Sequence, residues 1–164
     1  MIAVNGIILI LSCQKHLDTR IKHFKLPKND YGGWKVIYVI GDLFLDCDYK
    51  FVSSSGSSAG AHEAHEADFL IIKCEDSYIH LLKKLVLSLK YLYETFDIKE
   101  GVLRSGDDLI YDEELLQAFL DSPKKRMLGC DSGELTVLKD LDFYGKSPAG
   151  RSLLSHEISD ADIK

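Results

Sequence analysis

Two carboxylates stand side by side at Asp107-Asp108, within the stretch Val102-Leu103-Arg104-Ser105-Gly106-Asp107-Asp108-Leu109-Ile110-Tyr111. A short apolar run leads into them and another follows. Acids at the mouth of a buried strand are costly to desolvate unless a cation meets them. A divalent metal carrying a diphosphate is one such partner, since hard cations take oxygen ligands and bridge phosphates. The bland alternative is a turn whose two solvated acids cap the following segment. Polar residues also stand after the other apolar runs: Ser12, Asp42 and Asp76. Arg20, Lys84 and Arg104 are the cations suited to phosphate or base, although each also reads as a surface charge. Asp76 reads as a nucleoside contact, as the N-cap of the next helix, or as both. Asp42 has the same double reading at a strand end.

These residues need elements to bring them together. Gly6 to Ser12 is a continuous apolar run, the pattern of a strand buried on both faces. A basic, helix-compatible segment follows from Gln14 to about Phe24, and Asn29 to Gly33 reads as a loop. Trp34 to Asp42 predicts a second strand, ending in a turn and an acid, and Asp68 to Lys73 a third. Ser53 to Ala61 is a Ser/Gly/Ala loop. Asp76-Ser77 opens the best helix, on which Tyr78, Leu82, Leu85, Leu89 and Leu92 recur at helical spacing. Gly101 to Arg104 is a fourth strand. Asp112 is a candidate N-cap, with Glu113 and Glu114 favouring the dipole of a helix that carries Leu115, Leu116, Phe119 and Leu120. Arg126 to Cys130 and Leu135 to Leu138 read as two further short strands.

Apolar strands alternating with helices imply an α/β domain with a mostly parallel central sheet flanked by helices. Ligands of such folds sit beyond the carboxyl ends of the strands. There Ser12, Asp42, Asp76 and Asp107-Asp108 would converge despite their separation in sequence.

Composition narrows the choice of ligand. The chain has 164 residues, 28% charged and 46% hydrophobic, with a net charge of −6. That is ordinary globular composition, suited to one domain. The acidic balance and the lack of a long basic run argue against nucleic acid as partner. No run approaches the ~20 apolar residues that span a bilayer. Cys13, Cys47, Cys74 and Cys130 form no CxxC pair. They read as reduced thiols in a cytoplasmic protein. The segment His62-Glu63-Ala64-His65-Glu66 is not HExxH, so solvent exposure is favoured over a metal site. No glycine loop that would cradle phosphates is present.

Three segments together resemble the inverting glycosyltransferases of the β-1,3-galactosyltransferase and fringe family. Leu9-Ile10-Leu11-Ser12 with Arg20 downstream is similar to the family's opening strand, serine and arginine. Asp68-Phe69-Leu70-Ile71, then Asp76-Ser77-Tyr78, then Leu81 and Lys84, is similar to its acid, apolar residues, Asp-Ser-Tyr, leucine and lysine. Leu103-Arg104-Ser105-Gly106-Asp107-Asp108 stands where the family has an apolar strand, a basic residue and three acids, with Gly106 in place of the first acid. The match covers roughly residues 7 to 120. It is similar to short forms in microbes or large DNA viruses.

The resemblance implies a GT-A-like domain over 1–164, with a nucleotide-sugar donor half at 1–122 and a shortened acceptor-side segment at 123–164. It implies a metal-dependent, inverting transfer from a UDP-sugar to a hydroxyl of a glycan or protein acceptor. Asp107 and Asp108 would hold Mn²⁺ or Mg²⁺. Ser12, Arg20, Asp42, Asp76, Lys84, Arg104 and Asp107 would line the donor site. Asp131 is a candidate base on position alone, and His156 a candidate late metal ligand. Two alternatives stay open. One is a non-catalytic nucleotide-sugar-binding domain, or a fragment lacking a full acceptor site. The other is a Mg²⁺-dependent phosphoryl-transfer protein.

Overall fold

A computed structural model describes residues 1–54, 67–122 and 155–157. The chain divides into two compact units, Met1–Asp107 and Asp108–Lys164. The first holds a six-stranded sheet built from β1 (Ile2–Leu11), β2 (Asp30–Tyr31), β3 (Trp34–Gly41), β4 (Tyr49–Val52), β5 (Phe69–Ile72) and β6 (Phe96–Gly106). Its order is β4-β5-β3-β1-β6, with β2 attached to β3. Strand β1 runs parallel to β3 and β6, and β3 parallel to β5, whereas β4 and β2 are antiparallel to their neighbours. The protein is therefore mixed α/β with a mostly parallel central sheet flanked by helices, as the alternation of elements predicts.

The apolar runs of β1 and β3 are buried on both faces. One face carries Ile7, Leu9, Leu11, Ile37, Val39, Leu70 and Ile72. Against it pack Leu92, Tyr91, Leu85 and Leu89 of the helix α2 (Leu81–Thr95). On the other face Ile8, Ile10, Val36, Tyr38 and Ile40 are also buried. The Leu26 backbone N–H donates to the Tyr38 hydroxyl at 2.9 Å, tying the segment after β1 to that face. Each such aliphatic side chain contributes about 1.5–3 kcal/mol on burial.

The segment after β1 is helical, as expected, but not regular. A 3₁₀ turn (Gln14–His16) passes into a π-helical turn (Leu17–Ile21) and then a short helical turn, α1 (Lys22–Phe24). The expected loop at 29–33 is in fact a hairpin. Tyr31 pairs with Trp34 across Gly32 and Gly33, whose φ values of 63° and 88° are those of a type I′ turn.

Two expectations are corrected and one strand is new. Strand β6 starts at Phe96, directly after α2, rather than at Gly101, because Ile2 to Val4 pair with Phe96 to Ile98 before a bulge shifts the register. Strand β4 has no counterpart in the sequence reading. It forms as an edge strand whose Tyr49 stacks on Tyr91, with ring centroids 4.1 Å apart. The helix expected from Asp76-Ser77 begins only at Leu81, after a 3₁₀ turn (Tyr78–His80), and its stripe is only partly inward: Leu92 is fully buried, but Leu82 and, in the turn, Tyr78 are exposed.

The second unit contains β7 (Leu109–Tyr111), α3 (Glu113–Asp121) and β8 (Ser155–Glu157), with β7 and β8 antiparallel. Asp112 caps α3 as expected, its carboxylate accepting from Leu115 N–H at 3.1 Å. The expected strands at 126–130 and 135–138, the histidines at 62 and 65, Cys130 and Asp131 lie outside the described residues, as does the side chain of His156. Among the described residues no helix is long and apolar enough to cross a membrane.

Candidate functional site

The strand order places a reversal between β1 and β6. The chain proceeds from β1 to β3 to β5 on one side, then returns through α2 to add β6 on the other side of β1. In parallel sheets such a reversal opens a crevice beyond the carboxyl ends of the two strands, because the connections leave it in opposite directions. Leu11 pairs with Gly106 at those ends, so Ser12 and Asp107 are the next residues on either side.

Asp107 is gripped by three donors. The Ser12 hydroxyl donates to Oδ2 at 2.6 Å, bridging the two strand ends. His16 Nδ1 meets the same oxygen at 2.6 Å, and an Arg20 guanidinium N–H donates to Oδ1 at 3.0 Å. His16 and Arg20 are four residues apart, so one helical face presents both. The π-helical turn that carries Arg20 is a local widening of the kind that recurs at functional sites. Asp107 has a side chain only 9% exposed, whereas His16 and Arg20 are 31% and 29% exposed. The ion pair is thus buried on the acid's side and open on the cations' side.

A second network lies at the neighbouring strand ends. The buried Lys84 ammonium donates to Asp76 Oδ1 at 2.6 Å and to the Ser12 carbonyl. Asp76 Oδ2 accepts the Gln14 backbone N–H at 2.7 Å. Asp76 is therefore not the N-cap of the long helix; its carboxylate reaches back to the segment after β1 instead. The turn from β5 to Asp76 passes close over the end of β3. A Cβ at Gly41 would stand 2.9 Å from the Cys74 carbonyl and 3.0 Å from the Asp76 Cβ. Glycine is needed there so that Asp76 can approach.

The expected residues are thus distributed unequally. Ser12, Arg20 and Asp107 come together directly, and Asp76 and Lys84 sit beneath them through Ser12 and Gln14. Asp42 holds its own turn, accepting the Phe44 backbone N–H at 2.9 Å. Arg104 is exposed on edge strand β6 and takes no part in either network. Asp108 follows Asp107 in the chain and is exposed. The sequence reading missed His16. The signal that finds it is its spacing, four residues before Arg20 and four after Ser12.

This geometry bears on the metal expectation. Three donors leave Asp107 about one of its roughly four lone-pair positions. Asp108 keeps a solvent-facing carboxylate. A lone carboxylate suits Mg²⁺ or Mn²⁺ when phosphates and waters supply the remaining ligands. Among the described residues no cluster of three or more His, Cys, Asp or Glu side chains is arranged to hold a metal ion by itself.

Another acid, Asp68, shows what a closed site looks like. It is buried, and accepts from the Ser54 N–H at 2.8 Å, from the Ser53 and Ser54 hydroxyls, and from the Lys35 ammonium. Burial alone would raise its pKa. The Lys35 ammonium and the Ser54 donors outweigh that and hold it below the ordinary carboxylate value. For Cys74, burial pushes the thiol pKa up, in keeping with a core residue rather than a nucleophile.

Comparison with models of known families, with curated proteins and with solved structures finds no match to this chain.

Proposed function

We propose that the protein is a glycosyltransferase that takes a nucleotide-sugar, a UDP-sugar by resemblance, at the crevice between β1 and β6. The observation that carries this reading is the Ser12–Asp107 hydrogen bond across that crevice, with the partly exposed Arg20 beside it. A guanidinium has five N–H donors, and one is used on Asp107. The rest can meet a diphosphate in bidentate fashion. The convergence of Ser12, Arg20, Asp76 and Asp107 at one sheet edge also supports the resemblance of those segments to the fringe-like family and its GT-A domain.

In this reading the networks divide the work. Lys84 and Asp76 fix the chain at Ser12 and Gln14 from below. Ser12 and Asp107 lock the ends of β1 and β6. Arg20 reaches from Asp107 toward the diphosphate, so that the phosphate charge is met by a positioned cation. Asp108 would hold a divalent ion. When bound, that ion neutralises charge on the departing diphosphate. Asp107 is assigned to the anchoring role alone.

The test is release of UDP from UDP-glucose, UDP-galactose and UDP-N-acetylglucosamine with Mn²⁺, alone and with a panel of sugar acceptors. Acceptor-dependent release with a glycosidic product is the expected result. Tight UDP binding without transfer would instead indicate a non-catalytic binding domain, and a phosphorylated product a phosphoryl-transfer protein.

A further inference from the structure

We infer that His16 is the catalytic base of this site, a role that rests on the glycosyl-transfer reading above. His16 Nδ1 lies 2.6 Å from Asp107 Oδ2, an oxygen that also takes the Ser12 hydroxyl. An ionised carboxylate only accepts, so Nδ1 carries the proton in that bond. In the neutral ring the lone pair is then on Nε2, which has no partner among the described residues. A base oriented through its other ring nitrogen by a buried acid is the arrangement that fixes tautomer and direction for proton transfer. Ser12 gives its hydroxyl proton to Asp107 and not to His16, so it serves as a positioning residue rather than a nucleophile.

The acceptor hydroxyl gives its proton to Nε2 as its oxygen forms a bond to the anomeric carbon. The bond from that carbon to the diphosphate oxygen breaks, and its electron pair leaves with the nucleoside diphosphate. The imidazolium is stabilised by Asp107 and later loses its proton to water. Asp107 faces the ring at Nδ1 and Arg20 holds the other oxygen of Asp107, while Lys15 and Asp18 are charged neighbours along the same segment. The Asp76–Lys84 pair lies behind Gln14.

The decisive variant is His16→Asn, because the asparagine amide can stand in for Nδ1 as donor to Asp107 while offering no base at the Nε2 position. With the full chain, Mn²⁺ and the UDP-sugar panel, kcat should fall about 100-fold or more while the donor KM stays within about threefold. Asp107→Asn, which lets an amide N–H face Nδ1 and moves the ring proton to Nε2, should lower kcat in the same way and serves if the first variant fails to fold. A wild-type kcat in a folded variant would overturn the role of His16 and leave the transferase reading intact. No turnover by the wild type would overturn both.

Discussion

Two acids at the carboxyl edge of one sheet, Asp76 and Asp107, are held in opposite ways. Each follows a parallel strand and each receives donors from the segment that leaves β1. The partner of Asp76 is a buried lysine, 3% exposed, whose ammonium is taken up by protein acceptors. The partners of Asp107 are a histidine and an arginine, each about one-third exposed and each with nitrogen left over. The first arrangement can only hold. The second can hold and still reach outward. A buried pair is costly to assemble and costly to break, whereas a half-open one trades some of that rigidity for groups that can meet a ligand.

The comparison can be broken at several strengths. Lys84→Met should do most damage to folding. It leaves Asp76 mostly buried without its cation and should cost about 3–5 kcal/mol, read as a lower urea midpoint with unchanged slope. A change of less than about 1 kcal/mol would mean that Asp76 reaches water and the network is not closed. Gly41→Val tests the same network from below. Its side chain meets the Cys74 carbonyl and Asp76 and should cost about 1–3 kcal/mol. Arg20→Ala should separate the two regions most clearly. Ser12 and His16 still hold Asp107, so stability should fall by about 1 kcal/mol or less. Affinity for UDP should fall tenfold or more, about 1.4 kcal/mol or above. The smallest effect is in acid, where Asp68 serves as the closed control. Its pKa is lowered on folding, so its contribution is present above the ordinary carboxylate range and is lost as pH falls through the folded value. Asp68→Asn should flatten the acid side of the stability profile below about pH 4 and leave the slope near neutrality unchanged.

The sequence made the frame of this site readable, and left its wiring hidden, for physical reasons. The runs at Gly6 to Leu11 and Trp34 to Gly41 are apolar on both faces, so they read as central parallel strands, and the polar residue after each marks the edge. Asp112 capped its helix as its type and position imply. Strand β4 was invisible because Tyr49-Lys50-Phe51-Val52 is too short for a pattern and is created by pairing with β5. The start of β6 was hidden by Asp97, Lys99 and Glu100, polar residues that an edge strand tolerates on its open side. Apart from the Lys84–Asp76 pair, eight residues apart, the bonds that define the site span 62 to 95 residues of chain, and no local pattern encodes them. His16 could have been found, since it stands midway between two residues already singled out. Asp107 and Asp108 looked alike in sequence; burial separates them into an anchored acid and an exposed one.

The central claim is that the open half of this edge binds a nucleoside diphosphate together with a cation at Asp108. Calorimetry of UDP with and without Mn²⁺, for the wild type and for Asp108→Ala, tests it most directly. The account predicts that Mn²⁺ strengthens UDP binding to the wild type at least tenfold, about 1.4 kcal/mol, and that Asp108→Ala loses this gain while its folding is unchanged. No UDP binding by the wild type, or a gain from Mn²⁺ that survives in Asp108→Ala, would contradict it.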